Sequence, residues 1–202
     1  MGGEAGMGQA NSTITLYTLQ EKQVIESLLG MGTVFCREEF VRHKYEEIAP
    51  IFLTAYRWLA HEGQALVSKP QKADLFYWAF HKKSNIERFA DHGILELAIP
   101  LDEAIFFSLL DWNRILQLGF LSEDKKEQEA FRLELVSYGL QNETDIMLSN
   151  FYPDLKRRII QSWSTLFRHH QEIKQGNMPY DFPLQAALWQ LRREWLVNIE
   201  AC

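Results

Sequence analysis

The sequence predicts a single α+β domain built on a small, mostly antiparallel central sheet that helices flank. Three strand-like runs lie close together between residues 75 and 108, in the middle of the chain. Apolar residues at helical spacing mark the segments before and after these runs. A chain of 202 residues, of which 47% are hydrophobic, is large enough for one core. Strands in the middle and helices toward both ends are typical of the α+β class.

The N-terminal part of the chain contains a tail, a strand and two helices. Residues 1–12 are rich in glycine and predict a disordered tail, so the domain covers residues 13–202. Residues 13–19 alternate β-branched and apolar side chains, which predicts the first strand. Residues 21–29 predict a short helix that ends at Gly30 and Gly32. A second helix is expected between Pro50 and Gly63, because proline favours a first turn and glycine a last one.

The middle of the chain contains the three strands of the predicted sheet. They cover residues 75–81, 94–99 and 104–108, where apolar and aromatic side chains alternate or run together. Pro100 marks a turn between the second and the third strand. Asp111 then stands where it could cap the next helix.

The C-terminal part predicts two helices. Residues 122–130 are charged and start a helix with Ser122 as its cap. Residues 150–167 predict the longest helix, because their apolar side chains fall on one face. His169 and His170 follow it, where a cation would suit the negative end of the helix dipole.

The end of the chain is ambiguous from its sequence. Residues 176–183 are rich in turn-forming residues and predict a loop. The last run, residues 184–199, fits the spacing of a helix and also contains a shorter strand-like piece.

Composition and charge exclude several classes of function. The net charge of −6 argues against general binding of nucleic acid, which needs clustered cations. No apolar run approaches the roughly 18 residues of a membrane span, so no membrane association is expected. Cys36 and Cys202 stand at no metal-binding spacing and are expected as reduced thiols in the cytoplasm. No nucleotide-binding or nucleophile motif is present, so the sequence assigns no cofactor and no catalytic residue.

Aromatic residues of the first central strand are candidates for a ligand-stacking platform. Alternation places Tyr77 on one face of the strand and Trp78 and Phe80 on the other. Packing of the sheet against helices is the competing interpretation, and the pattern favours it for Trp78 and Phe80. His81 ends the strand and His92 follows a loop, but no third ligand stands at a spacing that predicts a metal site.

Charged residues near the same strands are the other candidates for a site. Glu96 interrupts an apolar strand and is the best carboxylate candidate, with a solvated sheet face as the competing interpretation. Arg88 lies in the loop between strands, where a guanidinium could hold a phosphate or a carboxylate. Asp111 and Trp112 open a helix directly after a strand and could lie beside a ligand, although Asp111 fits a helix cap better.

Several short sequence pieces occur in the order found in one bacterial family. They are LYTLQ at residues 16–20, AYRW at 55–58, YWAF at 77–80, LELAIP at 95–100, Ser108 with Asp111-Trp112, QSW at 161–163 and QAALW at 185–189. With these pieces the chain resembles the family known as Domain of Unknown Function 3841. The family has no established activity to carry over. Its strand pattern is similar to small α+β domains that bind nucleotides or bases, including ADP-ribosyltransferase-like and PUA-like folds.

The chain departs from the family pattern at the helix that opens with Asp111-Trp112. The pattern has an acidic residue after the serine, a histidine after the tryptophan and an asparagine later. Here Leu109, Asn113 and Gln117 stand at those positions. If those polar residues carry a reaction, this chain has lost or changed it.

These observations lead to three hypotheses about function. The first is a cytosolic ligand-binding or interaction domain with a pocket over the central sheet and a small-molecule or protein partner. The second is a nucleotide- or NAD-using enzyme, similar to ADP-ribosyltransferases, that works with the strand glutamate Glu96. The third is a phage or mobile-element protein that binds a protein partner, and no residue argues for it directly.

Overall fold

The computed structural model describes residues 12–177 and 182–202 of the chain. In this part, the strands are β1 (Thr13–Glu21), β2 (Thr33–Phe35), β3 (Tyr77–Phe80), β4 (His92–Pro100), β5 (Ala104–Ser108), β6 (Leu184–Leu188), β7 (Gln190–Arg192) and β8 (Leu196–Ala201). The α-helices are α1 (Lys22–Met31), α2 (Glu38–Tyr45), α3 (Ala49–Gly63), α4 (Leu109–Leu116), α5 (Lys125–Ser137), α6 (Glu143–Leu148), α7 (Pro153–Ser162) and α8 (His170–Lys174). None of these helices is long and apolar enough to cross a membrane.

A six-stranded antiparallel sheet organises the molecule, and it confirms the predicted α+β class. Its strand order is β5-β6-β3-β1-β4-β8, while β2 and β7 form a separate two-stranded sheet. The segment from Leu184 onward is therefore mainly strand, with the 3₁₀ segment Arg193–Trp195 between β7 and β8, which resolves the ambiguity of that segment. The predicted loop before them falls partly on residues 178–181, and the predicted tail mostly on residues 1–11, which lie outside the described residues.

Both faces of the sheet carry helices, because side chains alternate between the two faces of each strand. On one face, Leu16, Leu97 and Phe106 pack with Leu28 of α1 and Ile173 of α8. On the other face, Ile105, Phe107 and Trp78 pack in a larger cluster with residues of the helices from α2 to α7. The aromatic residues that dominate the composition lie mainly in this larger cluster.

His170 lies at the outer edge of the sheet, beside β5, which is the terminal strand among the described residues. The Phe106 N–H donates to His170 Nδ1 over 3.2 Å, and His170 is 1% exposed. Burial, with a contribution from Lys174, lowers the pKa of His170 to about 4. The ring is therefore neutral at neutral pH, as an Nδ1 acceptor requires. The predicted role at a helix end is wrong: His170 satisfies a backbone donor of an edge strand.

Predicted helix boundaries differ from the structure at α4, α5 and α7. α4 begins after Ser108, whose hydroxyl accepts from the Asp111 N–H over 3.4 Å, so Asp111 is not the cap. α5 begins after Asp124, which accepts from the Lys126 N–H, so Ser122 is not the cap. The predicted long helix is α7 followed by a 3₁₀ segment, Trp163–Phe167.

Candidate functional site

One row of side chains crosses all six strands of the sheet, on the face that carries α3 and α4. The strand registers align one residue from each strand, in the sheet order β5, β6, β3, β1, β4 and β8. These residues are Phe107, Gln185, Phe80, Tyr17, Glu96 and Asn198. We name these six residues the cross-strand row. Directly opposite residues in antiparallel strands lie about 5 Å apart, so neighbouring side chains of the row are close enough to interact.

Exposure increases along the cross-strand row. Phe107 and Gln185 are buried, the three middle residues are partly buried, and Asn198 is exposed. Among the described residues, the core cluster of this face draws its sheet residues from β5, β6, β3 and their flanks, not from β1, β4 or β8. The helical layer therefore covers one half of the face and ends near Gln185 and Phe80.

Gln185 stands where this cover ends, and its side chain is not satisfied. It is 3% exposed, and its Oε1 has no hydrogen-bond donor among the described residues. Leaving a buried acceptor unpaired costs about 1–3 kcal/mol, so native proteins rarely do so without a reason. A ligand that donates a hydrogen bond would remove this cost.

Glu96 and Tyr17 lie on the open side of the row. Glu96 faces away from its buried neighbours Leu95 and Leu97, as the alternation predicts. It is partly buried and forms no ion pair with a described residue. Tyr17 stands directly opposite it on β1. A carboxylate beside an aromatic ring can accept from a planar molecule that the ring contacts.

Tyr77 and Trp78 lie on opposite faces of β3, as predicted. The Trp78 ring lies 5.2 Å from the Tyr56 ring and 5.0 Å from the Trp112 ring. These contacts give Trp78 a packing role beneath α3 and α4, and ligand stacking by Trp78 stays a prediction. Burial raises the pKa of the Tyr77 hydroxyl on the other face.

Arg88 reaches the same face as Glu96. Its guanidinium donates to Glu200 Oε1 over 2.6 Å, and Lys83 also pairs with Glu200. Glu200 is aligned with Ile94, two residues before Glu96 on β4, so the two glutamates project from one face. The loop between β3 and β4 thus places its cations at one end of the open area.

His81, Asp111 and Trp112 lie away from the open area. By alternation, His81 follows Phe80 onto the other face, and burial together with Lys82 lowers its pKa. Asp111 pairs with Arg168 over 2.6 Å, and Trp112 is 2% exposed. These contacts join α4 to the segment before α8, and a ligand role for the three residues stays a prediction.

The structure brings two of the predicted polar residues, Glu96 and Arg88, to the same face as Trp78. The sequence by itself gives no reason to select Tyr17 or Gln185. Gln185 does carry a signal, since an amide inside the apolar strand-like run LQAAL needs an explanation once that run is known to be buried. Tyr17 alternates with apolar neighbours as any strand residue does, and only the register places it opposite Glu96.

In residues 12–177 and 182–202, no group of three or more histidine, cysteine, aspartate or glutamate residues could hold a metal ion. Burial and the nearby Asp74 carboxylate raise the pKa of the Cys36 thiol to about 12. That thiol is protonated at neutral pH and is a poor nucleophile.

A family model described as "Domain of unknown function (DUF3841)" matches residues 15–197. No curated protein and no solved structure matches the chain. The matched residues include both Tyr17 and Gln185.

Proposed function

The chain belongs to the family described as Domain of unknown function (DUF3841), and on that premise we propose that it is a ligand-binding domain. It holds a small molecule over the open half of the central sheet and does not convert it. The molecule lies along the cross-strand row between Gln185 and Glu96. These two residues are three strands apart, which is about 14 Å between their backbones.

The observation that carries the proposal is the buried, unpaired Oε1 of Gln185. A small molecule with an N–H or O–H group would satisfy it at the point where the helical cover ends. Phe80 and Tyr17 supply aromatic surface next to it, and Glu96 supplies a second acceptor. The matching ligand is planar and carries hydrogen-bond donors, as nucleobases and amides do.

The absence of turnover is proposed from the same row. Glu96 forms no ion pair with a described residue, and the residues aligned with it are Tyr17 and Asn198, so no second carboxylate, histidine or cysteine lies directly opposite it in the described strands. General acid–base catalysis needs a partner group within hydrogen-bond reach of the reacting atom.

Thermal denaturation in the presence of nucleobases, nucleotides and nicotinamide tests the proposal. A ligand at a hundred times its Kd should stabilise the protein by about 2.7 kcal/mol. Gln185→Leu should reduce this stabilisation by about 1–2 kcal/mol without destabilising the free protein, since it removes an unsatisfied acceptor. If Gln185→Leu destabilises the free protein and no compound shifts the wild type, the proposal is wrong.

Two substitutions that remove the same charge distinguish a direct role of the cross-strand row from a general effect of net charge. Glu96→Gln should weaken binding of a donor-bearing ligand by about tenfold, because a hydrogen bond to a charged acceptor contributes roughly 1.5–3 kcal/mol. Glu26→Gln makes the same change on α1, which packs on the opposite face, and should leave binding unchanged.

A nucleotide- or NAD-using enzyme is the second candidate. It is favoured by Arg88 and Glu96 projecting toward one face, where a cation could hold a phosphate near a carboxylate. Incubation with NAD followed by assay for released nicotinamide distinguishes the two hypotheses. If the wild type releases nicotinamide and Glu96→Gln does not, the protein is an enzyme and the proposal of binding without turnover is wrong.

We also propose that the protein acts in the bacterial cytoplasm. Both cysteines are unpaired, which suits a reducing compartment. Fractionation of cells that express the tagged chain checks this location.

A further inference from the structure

A cleft with a volume of about 340 Å³ lies beside α3, on the segment that leads from α3 to β3. Its lining residues are Glu38, Arg57, Ala60, His61, Gln64, Lys69, Asp74 and Leu75. The volume is at the lower end of the range for small-molecule sites, roughly 300–1,000 Å³. Ala60 and Leu75 are buried, so the apolar part of the lining is its floor and the polar groups stand around it.

The two carboxylates of the cleft are already neutralised by arginines. Glu38 accepts two hydrogen bonds from Arg57, over 2.8 and 2.6 Å, and one from Arg42 over 2.9 Å. These bonds from Arg57 and Arg42 lower the pKa of Glu38 to about 2. Asp74 pairs with Arg37 over 3.0 Å.

Positive charge remains after this pairing. The cations in contact with the cleft or its carboxylates are Arg37, Arg42, Arg57 and Lys69, against Glu38 and Asp74, which leaves a local charge of +2. Including Glu62, which lies 3.9 Å from His61, still leaves a positive charge. The whole chain carries −6, so this cleft has the opposite sign to the molecule around it.

Lys69 is the cation that no carboxylate neutralises within the described part of the chain. Its Nζ lies 5.4 Å from the centre of the Trp189 ring. That ring is itself held by a hydrogen bond from its Nε1 to the Val67 carbonyl, over 2.9 Å. The ammonium is thus positioned at the cleft by a buried indole and remains able to bind an anion.

We propose that this cleft is a second binding site, which takes a small phosphate monoester with an apolar body. The phosphate binds Lys69 and the outer N–H groups of Arg57, with Gln64 and His61 as further donors, and the apolar body lies on Ala60 and Leu75. The site is separate from the cross-strand row, because none of its lining residues belongs to that row. Its success or failure is therefore independent of the proposed function.

Calorimetric titration with phenyl phosphate at low ionic strength tests this site, with phenol as the uncharged reference. Lys69→Gln should weaken phenyl phosphate binding at least about tenfold, as expected for loss of a charge-assisted hydrogen bond. Lys72→Gln is the matched control, since Lys72 is exposed on the same segment and does not line the cleft. It should change the Kd less than about twofold, because an exposed charge that does not contact the ligand is screened by solvent and salt.

Glu38→Gln adds a result of the opposite sign. Removing this carboxylate leaves Arg57 and Arg42 unpaired, so phenyl phosphate should bind severalfold more tightly. Equal effects of Lys69→Gln and Lys72→Gln, or no saturable binding by the wild type, would overturn the proposal. The charged residues would then serve only to join α2, α3 and the following segment.

Discussion

At the residue scale, two charged or chargeable side chains respond to pH in separate ranges. His170 is buried and neutral, with a pKa lowered to about 4, and Glu38 is ionised, with a pKa lowered to about 2. Both shifts make the unfolded chain bind more protons than the folded one as the pH falls. Stability therefore decreases toward acid in both cases, but over different intervals.

The His170 interval lies between its ordinary pKa of 6.5 and about 4. Above pH 6.5 the contribution of neutral His170 to the free energy of unfolding is complete. Below pH 6.5 His170 becomes protonated in the unfolded state but stays neutral in the folded state until about pH 4. From pH 7 to pH 5 the wild type should lose about 2 kcal/mol more than His170→Asn, which does not titrate. Urea unfolding at the two pH values measures this, and equal losses in both proteins would contradict it.

The Glu38 interval lies lower, between its ordinary pKa of 4.5 and about 2. Its stabilisation is present above pH 4.5 and disappears as the pH falls through that range. Because Glu38 is partly solvated, Glu38→Gln should cost only about 1 kcal/mol at pH 7 and nothing near pH 2. Thermal unfolding across this range checks the result, with the exposed pair Glu129–Arg132 as control, where Glu129→Gln should cost little at any pH.

At the element scale, the end of α1 depends on backbone conformation. Gly30 and Gly32 are both predicted to end this helix, but the structure separates them. Gly32 has a φ of 80°, and its N–H donates to the Leu28 carbonyl over 2.9 Å. Gly30 lies inside the helix, so Gly32 alone terminates it.

This difference predicts opposite effects for two identical substitutions. Gly32→Ala should destabilise the protein by about 1–2 kcal/mol, because a side chain disfavours the left-handed conformation. Gly30→Ala should stabilise it by about 0.5 kcal/mol, because alanine loses less backbone entropy in a helix. A Cβ at either position meets nothing within 4 Å, so packing does not confuse the comparison. Denaturant midpoints measure both changes in stability. If the two substitutions change stability in the same direction, Gly32 is not the residue that terminates α1.

At the scale of the whole molecule, the sheet joins distant parts of the sequence. β6 near the C-terminal end lies between β5 and β3, and β1 lies between β3 and β4. Without β6, β5 has no neighbouring strand, and the core residues Ala186 and Leu188 are absent. The sheet therefore cannot form in separate halves.

A chain that ends at residue 183 should accordingly not reach a folded state. It lacks β6, β7 and β8, so near-ultraviolet circular dichroism should show no fixed aromatic environment. Deletion of Cys202 alone is the control, since it removes a single backbone hydrogen bond to His92 and should leave the spectrum native. A native spectrum from the shorter chain would contradict this description of the core.

Local patterns were sufficient to predict much of the fold. Alternation predicted β1 and the two faces of β3, and the pair Pro50 and Gly63 marked the bounds of α3 to within one residue. Caps were harder to assign, because Ser108, Asp111, Ser122 and Asp124 are all suitable residue types. Which of them accepts from the helix N-terminus depends on where the preceding strand ends, and that is a tertiary property.

The candidate site was only partly predictable. Glu96 stood out because a charge interrupts an apolar strand, and Arg88 because it lies in a loop between strands. Gln185 and Tyr17 are distant from both in sequence, and the strand order decides that they join the same row. The role of His170 depends on the fold in the same way, since its partner Phe106 is 64 residues away.

The sequence by itself determined the class of the fold, the family and most of the elements, since these follow from periodicity, turn residues and the order of short motifs. Tertiary structure alone decided the strand order, the extent of the helical cover and which buried polar groups find a partner. Those features arise from contacts between residues far apart in the chain, and local spacing contains no information about which distant strand becomes a neighbour.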